Sequence, residues 1–327
     1  MHAGYLNGPA AVEPGIVSGS CRHMKVACRL YNARTGVDYM TSIINILVNG
    51  LILGGIYALT SVGLSMQYGV ARIFNIAHGE FIMVGAFITW MLYTSLGVNP
   101  LICLAVAGPI LFILGFIIHR YMFKTLKDKI PSPAAFEGNS MLLAFGIMFV
   151  IQSIAIYLWG TSIKGYNYMA YSVYLGDIRF SANRLLILFF ALVLCGLFYL
   201  FLTRTRPGKA IRAAAQDPEA ASLMGVDINK MLALCFALGA MMAGFAGVLL
   251  SMAYQLQTNM GLPYTIIAII VVVLGGLGSI PGSMLGGFIL GIIGSIVNTI
   301  DPGLTLAAYY LLFMILLLVR PSGILGR

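Results

Sequence analysis

Nine stretches of the chain stay apolar over about the length needed to cross a bilayer, near residues 43–67, 74–96, 100–119, 140–160, 183–203, 231–254, 264–280, 281–299 and 304–320. A membrane's hydrocarbon core is about 30 Å thick and takes about 20 residues of helix. Inside it every peptide N–H and C=O must be paired within the protein, which runs of this length achieve as helices. The expected fold is an all-α polytopic membrane protein of about 8–9 transmembrane helices. Nine is the direct count; eight stays open, because the joint Ser279-Ile280-Pro281-Gly282 is short enough to hold a re-entrant turn packed against protein. Composition agrees: 60% of residues are hydrophobic and 9% charged, against roughly 25% charged in a soluble domain.

The net charge of +9 could suggest a polyanionic partner, but the basic residues gather at the ends of apolar runs, where they orient spans. That placement argues against nucleic acid. Arg120, Lys124, Lys127 and Lys129 follow the third run, Arg204 to Lys230 the fifth, and Arg320 and Arg327 the last, so these ends are expected in the cytoplasm. Nine spans then put the amino terminus outside, against the positive charge of Arg22, Lys25, Arg29 and Arg34. Residues 1–42 read as an amino-terminal extension, either a disordered tail or residues ahead of an actual start at Met40, unless one span is miscounted. Residues 43–320 form the membrane domain and 321–327 a cytoplasmic tail. Cys21, Cys28, Cys103, Cys195 and Cys235 make no CxxC pair and no disulfide framework, and no metal site is expected.

Residues 204–230, RTRPGKAIRAAAQDPEAASLMGVDINK, break the apolar pattern. Five basic side chains cannot lie in lipid at roughly 2.5–3.5 kcal/mol each, so this is a loop in water. Pro207 and AIRAAAQ suit a first helix, and Pro218 disfavours αR at Asp217, so that helix should stop there. Asp217 is a good N-cap for a second helix, with Pro218 at its first position, Glu219 at its positive end and Gly225 as a left-handed stop. About two turns of helix are marginal alone in water, so the second helix should rest on something, with Ala220, Ala221, Leu223 and Met224 as its contact face. A folded connector explains the same physics equally well.

The spacing Glu219-Ala220-Ala221, three residues, then Gly225 resembles the EAA loop of ABC-importer permeases. GLSMQYGVARIFNIAHGEFIMVGAF (63–87), AAQDPEAASLMGVDINK (214–230) and GGLGSIPGSMLGGFILG (275–291) are similar, in the same order, to the branched-chain amino-acid permeases, over about residues 43–320. The Leu-Pro that closes the loop motif in many other importers is missing after Ile228. The resemblance implies a permease subunit in a prokaryotic cell (inner) membrane, with the coupling loop cytoplasmic. Implied partners are a homologous second permease, two cytoplasmic ATPase subunits and an extracytoplasmic substrate-binding protein. ATP and Mg would sit on the ATPases, with no cofactor on this chain. Asp217, Glu219, Ala220, Ala221, Leu223, Met224 and Gly225 would form the ATPase-coupling helix.

Asn75, His78 and Glu80 open the second span, and an intramembrane carboxylate and imidazole are candidates for a pathway or gating role. The competing reading places them at the interface, with Glu80 paired to Arg72 or His78. Ser279, Ser283 and Asn298 are further pathway candidates, each equally a packing position. Small residues four apart (Gly50 and Gly54, Ala240 and Gly244, Ala243 and Gly247, Gly282 and Gly286, Gly287 and Gly291) let helices approach closely, for packing, for sliding or for contact with a second permease. The chain has no GxxxxGKS or GxxxxGKT for ATP and no TVGYG filter, and no charge pair within a span to grip an amino acid. A weakly binding passage served by a separate binding protein is expected. The alternatives are an importer for other amino acids, amides or urea, and a self-contained carrier.

Overall fold

The computed structural model describes residues 17–130, 132–169, 171–175, 178–320 and 323–325, with side chains from residue 42 except 173–180. The amino-terminal extension therefore lies outside the described residues up to position 16, and in its side chains up to position 41. The chain divides into two compact units, Met1–Asn45 and Ile46–Arg327; all contacts below belong to the second. The helices in chain order are α1 (Val17–Ala71), α2 (His78–Leu96), α3 (Pro100–Ile118), α4 (Lys124–Lys129), α5 (Pro133–Trp159), α6 (Ala182–Arg204), α7 (Arg206–Gln216), α8 (Pro218–Leu223), α9 (Ile228–Ser251), α10 (Gly261–Gly275), α11 (Ile280–Ile300) and α12 (Thr305–Val319). A π-helical turn, His119–Phe123, continues α3 into α4.

Among the described residues, eight helical segments are long and apolar enough to cross a bilayer, and Gly261–Gly275 is a further, shorter apolar helix. Its 15 residues reach about 22 Å, less than the roughly 30 Å core. Outside the membrane helices, β1 (Ser172–Leu175) and β2 (Ile178–Ser181) pair antiparallel ahead of α6, a small hairpin that the apolar pattern does not announce.

The small residues are used inside this chain. Gly50 and Gly54 of α1 abut Ile292 and Phe288 of α11, and Gly287 and Gly291 of α11 abut Ala58 and Gly54 in return. On α9, Ala240 meets Gly115 of α3, Gly244 meets Gly85 of α2, and Gly247 meets Ile82. Gly282 and Gly286 pack on Gly275. Without a hydrophobic drive between helices in lipid, such close backbone contact is what holds a bundle together.

Irregular backbone is not confined to the joint where a re-entrant turn stayed open. The joint before α11 is a tight turn, with Gly276 at φ 104° and Gly278 at φ 80°, where Ser279 caps α11. The breaks that penetrate the bundle precede α2 and α10. The imidazole Nε2 of His78, the first residue of α2, lies 3.0 Å from Thr60 O. Thr60 is eleven residues before the end of α1, about 16 Å along its axis. Residues 72–77 thus carry the chain back into the bundle before α2 begins. Gly261 at the start of α10 lies against Gly79 and Glu80, so the two helices begin at one level. The segment 252–260 leading to α10 buries Met252, Leu256, Thr258 and Met260, consistent with non-helical backbone that is tolerated in a membrane only where protein encloses it.

Candidate functional site

α6 ends at Arg204, and Thr205 turns the chain: its Oγ1 accepts from Gly208 N at 3.2 Å, which caps α7. Ile211 and Ala214 are buried while Lys209 and Arg212 face outward, so α7 lies on the bundle as an amphipathic strip. The helix stops at Asp217 (φ −149°, ψ 100°), whose Oδ1 accepts from Glu219 N at 2.9 Å and Ala220 N at 3.0 Å and so caps α8. Gly225 (φ 85°) closes it, with Val226 N donating to Ala221 O at 3.1 Å, a Schellman closure. Asp227 then caps α9 through Lys230 N at 3.1 Å and pairs with the Lys230 ammonium at 3.1 Å, contacts that hold its carboxyl below the usual range.

The face of α8 is split. Ala221 is buried against its own chain, which makes it the inward side of the helix. Glu219 and Ala220 are exposed, and Leu223 and Met224 are 89% and 85% exposed on this charged loop. Large apolar side chains presented this way to water form a surface suited to another protein.

Asn75, His78 and Glu80 form a second, enclosed cluster, all but inaccessible at 1%, 0% and 1% exposure. Asn75 Nδ2 donates to Gln67 Oε1 at 3.1 Å, its Oδ1 accepts from Ala77 N at 3.1 Å, and Gln67 Nε2 donates to Phe236 O at 3.0 Å on α9. Thr265 of α10 caps α2 from across the bundle. Its Oγ1 accepts from Gly79 N at 2.8 Å and donates to Ile76 O at 2.9 Å. The Glu80 carboxyl lies at the start of α10 against Gly261, and its Oε2 has no partner among the described residues. The interfacial pairing with Arg72 or His78 is not made: Arg72 lies over the Tyr68 ring, 5.7 Å from its centre, and the only ion pair among the described residues is Lys230–Asp227.

Replacing Thr265 with Val would leave the buried Gly79 N–H unpaired at about 1–3 kcal/mol and free the partly buried Ile76 carbonyl as well. The Thr265→Val protein should melt clearly below wild type in detergent, while Thr265→Ser, which keeps the hydroxyl, should stay close to wild type.

The other candidates do not join this cluster. Ser279 Oγ accepts from Gly282 N at 3.2 Å; Ser283 Oγ donates to Ser279 O at 3.0 Å, and Ser283 O accepts from Ser61 Oγ at 3.1 Å. Asn298 is exposed near the far end of α11, about 28 Å of helix from Ser279. Thr60, Gln67, Gly261 and Thr265 escaped the sequence reading; the signal available was a lone threonine among the apolar residues of IIAIIVVVL and its neighbours.

A third feature lies at the other end of the spans from α8. A cavity of about 420 Å³ opens between residues 163–168, Asn183 and residues 252–255.

The profile of the family described as "Branched-chain amino acid transport system / permease component" matches residues 46–320. The high-affinity branched-chain amino acid transport system permease protein BraD of Pseudomonas aeruginosa is 36% identical over 300 residues, covering 86% of this chain and 95% of that protein. LivH of Escherichia coli, with the same description, is 30% identical over 296 residues, covering 85% of this chain and 94% of that protein. The probable branched-chain amino acid transport permease LivH of Methanocaldococcus jannaschii is 27% identical over 298 residues, 86% of this chain and 92% of that protein. With a bundle of apolar helices and a capped helical loop between its fifth and sixth long spans, and with the match running through almost all of the described bundle, this chain belongs to the permease-component family of branched-chain amino-acid transport systems.

Proposed function

We propose that the chain is the membrane-spanning subunit of an ABC importer that moves branched-chain amino acids into the cell, and that ATPase subunits engage it at α8. The exposed Leu223 and Met224, on a helix capped at both ends with Ala221 on its inward side, carry this reading. Closure of two ATPases bound to Mg and ATP would push on α8; α7 would pass the movement to α6 and α9, and the bundle would switch its open side. The proposed assembly adds a homologous permease and an extracytoplasmic binding protein, with α8 and the carboxyl end in the cytoplasm of a prokaryotic cell. A self-contained carrier needs titratable groups along its path. Glu80 and His78 are enclosed by α1, α2, α9 and α10, and a gradient-driven cycle has little else to use.

The test is leucine uptake into proteoliposomes holding the whole assembly, with ATP supplied or withheld on the ATPase side. Uptake should require ATP and fall at least tenfold in Glu219→Lys, which reverses the charge at the positive end of α8. Uptake indifferent to both would transfer the function to a gradient-driven carrier. Competition by isoleucine and valine, set against other amino acids, amides and urea, identifies the substrate class.

A further inference from the structure

We propose that a cavity at the α8 end of the bundle is a binding site for the headgroup of an aminophospholipid, whose phosphate pairs with Arg72 and Lys127 and whose primary ammonium pairs with Glu137. The site needs only a chain that spans the membrane, and it stands apart from the transport reading above. The cavity, about 440 Å³, lies within the roughly 300–1,000 Å³ of small-molecule sites. It opens where α1 and α4 end and where α5, α8 and α9 begin, the level at which the spans leave the bilayer. Basic pockets between membrane helices at such a level suit lipid headgroups.

The charges in the wall are accessible and unpaired. Arg72 and Lys127 are exposed, Glu137 is half-buried, and none of the three makes an ion pair among the described residues. Arg72 is presented by a backbone that would suit glycine better. Its φ of 53° is left-handed, and its N–H donates to Tyr68 O at 3.0 Å to close α1. A large side chain kept at such a position points to a use for that side chain. The guanidinium lies over the Tyr68 ring, 5.7 Å from its centre, and Phe74 packs edge-on to the same ring with centroids 5.9 Å apart. Stacking steadies the charge and leaves the planar fork of N–H donors for a phosphate, which it fits in a bidentate way.

The rest of the wall selects the ligand. Val70, Ile130, Pro133, Phe136 and Leu232 make it largely apolar. From Pro133 and Glu137, four-residue steps along α5 lead to Met141, Phe145 and Phe149, all exposed, with Phe145 packed edge-on to Phe149 at 4.9 Å between centroids. Side chains spaced in this way form one ridge, which carries an apolar track about 18 Å along the helix from Glu137 into the depth of the bilayer. A ligand that answers the whole surface therefore joins a phosphate, an ammonium and a long apolar body in one molecule. An acidic side chain of a partner protein would pair with the two cations and leave Glu137 unanswered. An anionic lipid without an amine would set its headgroup against the Glu137 carboxylate.

The experiment titrates the delipidated full-length chain in detergent with phosphatidylethanolamine, phosphatidylglycerol and phosphatidylcholine of matched acyl chains, and counts retained lipid by native mass spectrometry. Wild type should retain phosphatidylethanolamine at least tenfold more tightly than either of the others. Phosphatidylglycerol lacks the ammonium, and the quaternary ammonium of phosphatidylcholine has no N–H to donate. Arg72→Gly should weaken that retention at least tenfold while melting, without lipid, at or above the wild-type midpoint, because glycine accepts the left-handed backbone freely. Glu137→Gln should bring phosphatidylethanolamine down to the level of phosphatidylglycerol and leave phosphatidylglycerol within about threefold of its wild-type retention. Glycerophosphoethanolamine, the same headgroup without acyl chains, should not displace the lipid at equal concentration. A preference unchanged in both variants or displacement by the soluble headgroup would overturn the site. No preference among the three lipids would overturn it too, and would leave the α5 ridge to a protein partner.

Discussion

Gly79→Ala should lower the thermal midpoint of the detergent-solubilised protein by about 10 °C or more, or prevent its accumulation in the membrane. A Cβ at Gly79 would fall inside the contact distance of the Gly261 carbonyl oxygen and 2.6 Å from Thr265 Oγ1. Neither neighbour can move freely. Thr265 Oγ1 is bonded to both Gly79 N at 2.8 Å and Ile76 O at 2.9 Å, and Gly261 belongs to the backbone of α10. Extra volume in a packed core typically costs about 1–3 kcal/mol, and a collision between two backbones lies at or beyond the upper end. Loss of the Gly79 hydrogen bond adds about 1 kcal/mol. Against a total stability of about 5–15 kcal/mol this is a large fraction. Gly146→Ala is the control: a Cβ there, in the middle of α5, meets nothing within 4 Å. It should leave the midpoint unchanged or raise it slightly, because Ala is about 0.5–1 kcal/mol better than Gly inside a helix. A Gly79→Ala protein that melts like wild type would show that α2 and α10 do not start against each other.

Leu223→Glu should abolish co-purification of the ATPase subunits and reduce ATP-dependent uptake at least 30-fold, with the melting behaviour of the isolated chain unchanged. Leu223 is 89% exposed and touches little of its own chain, so the substitution removes no packing within the bundle. In a protein interface, an apolar anchor seated in a partner's pocket is worth about 2–4 kcal/mol, or roughly 30- to 1,000-fold in affinity. A carboxylate in its place adds the desolvation of a charge. Ala221→Glu makes the complementary point: its side chain is buried against the bundle, so that variant should lose stability as well as coupling. If Leu223→Glu retained ATPase binding and full uptake, α8 would be a connector and the docking surface would lie elsewhere on the loop.

What the sequence determined about this protein is local or repetitive. The length of the apolar runs dictates helices, because lipid offers the backbone no hydrogen bonds of its own. The charges of 204–230 place a loop in water, and Pro207, Asp217, Pro218 and Gly225 write α7, its stop and α8, since each acts through its own φ, its own N–H or its own side-chain cap. Those boundaries could be read residue by residue. The tertiary structure decided whatever depends on which distant segments meet. Ala221 turned out to be the inward side of α8 while Leu223 and Met224 face away, a division that requires knowing where the bundle lies. The small-residue pairs could serve internal packing or an external contact, and only the approach of α1 to α11 and of α9 to α2 and α3 assigns them to the interior. Nothing local separates a span that begins at the membrane surface from one that begins partway through the bundle, because both read as apolar residues after a short polar stretch. The depth at which α2 and α10 start is set by Gly79, Thr265, Glu80 and Gly261, with Gly79 and Thr265 meeting across 186 residues of chain, and close backbone contact of that kind exists only once the helices are packed.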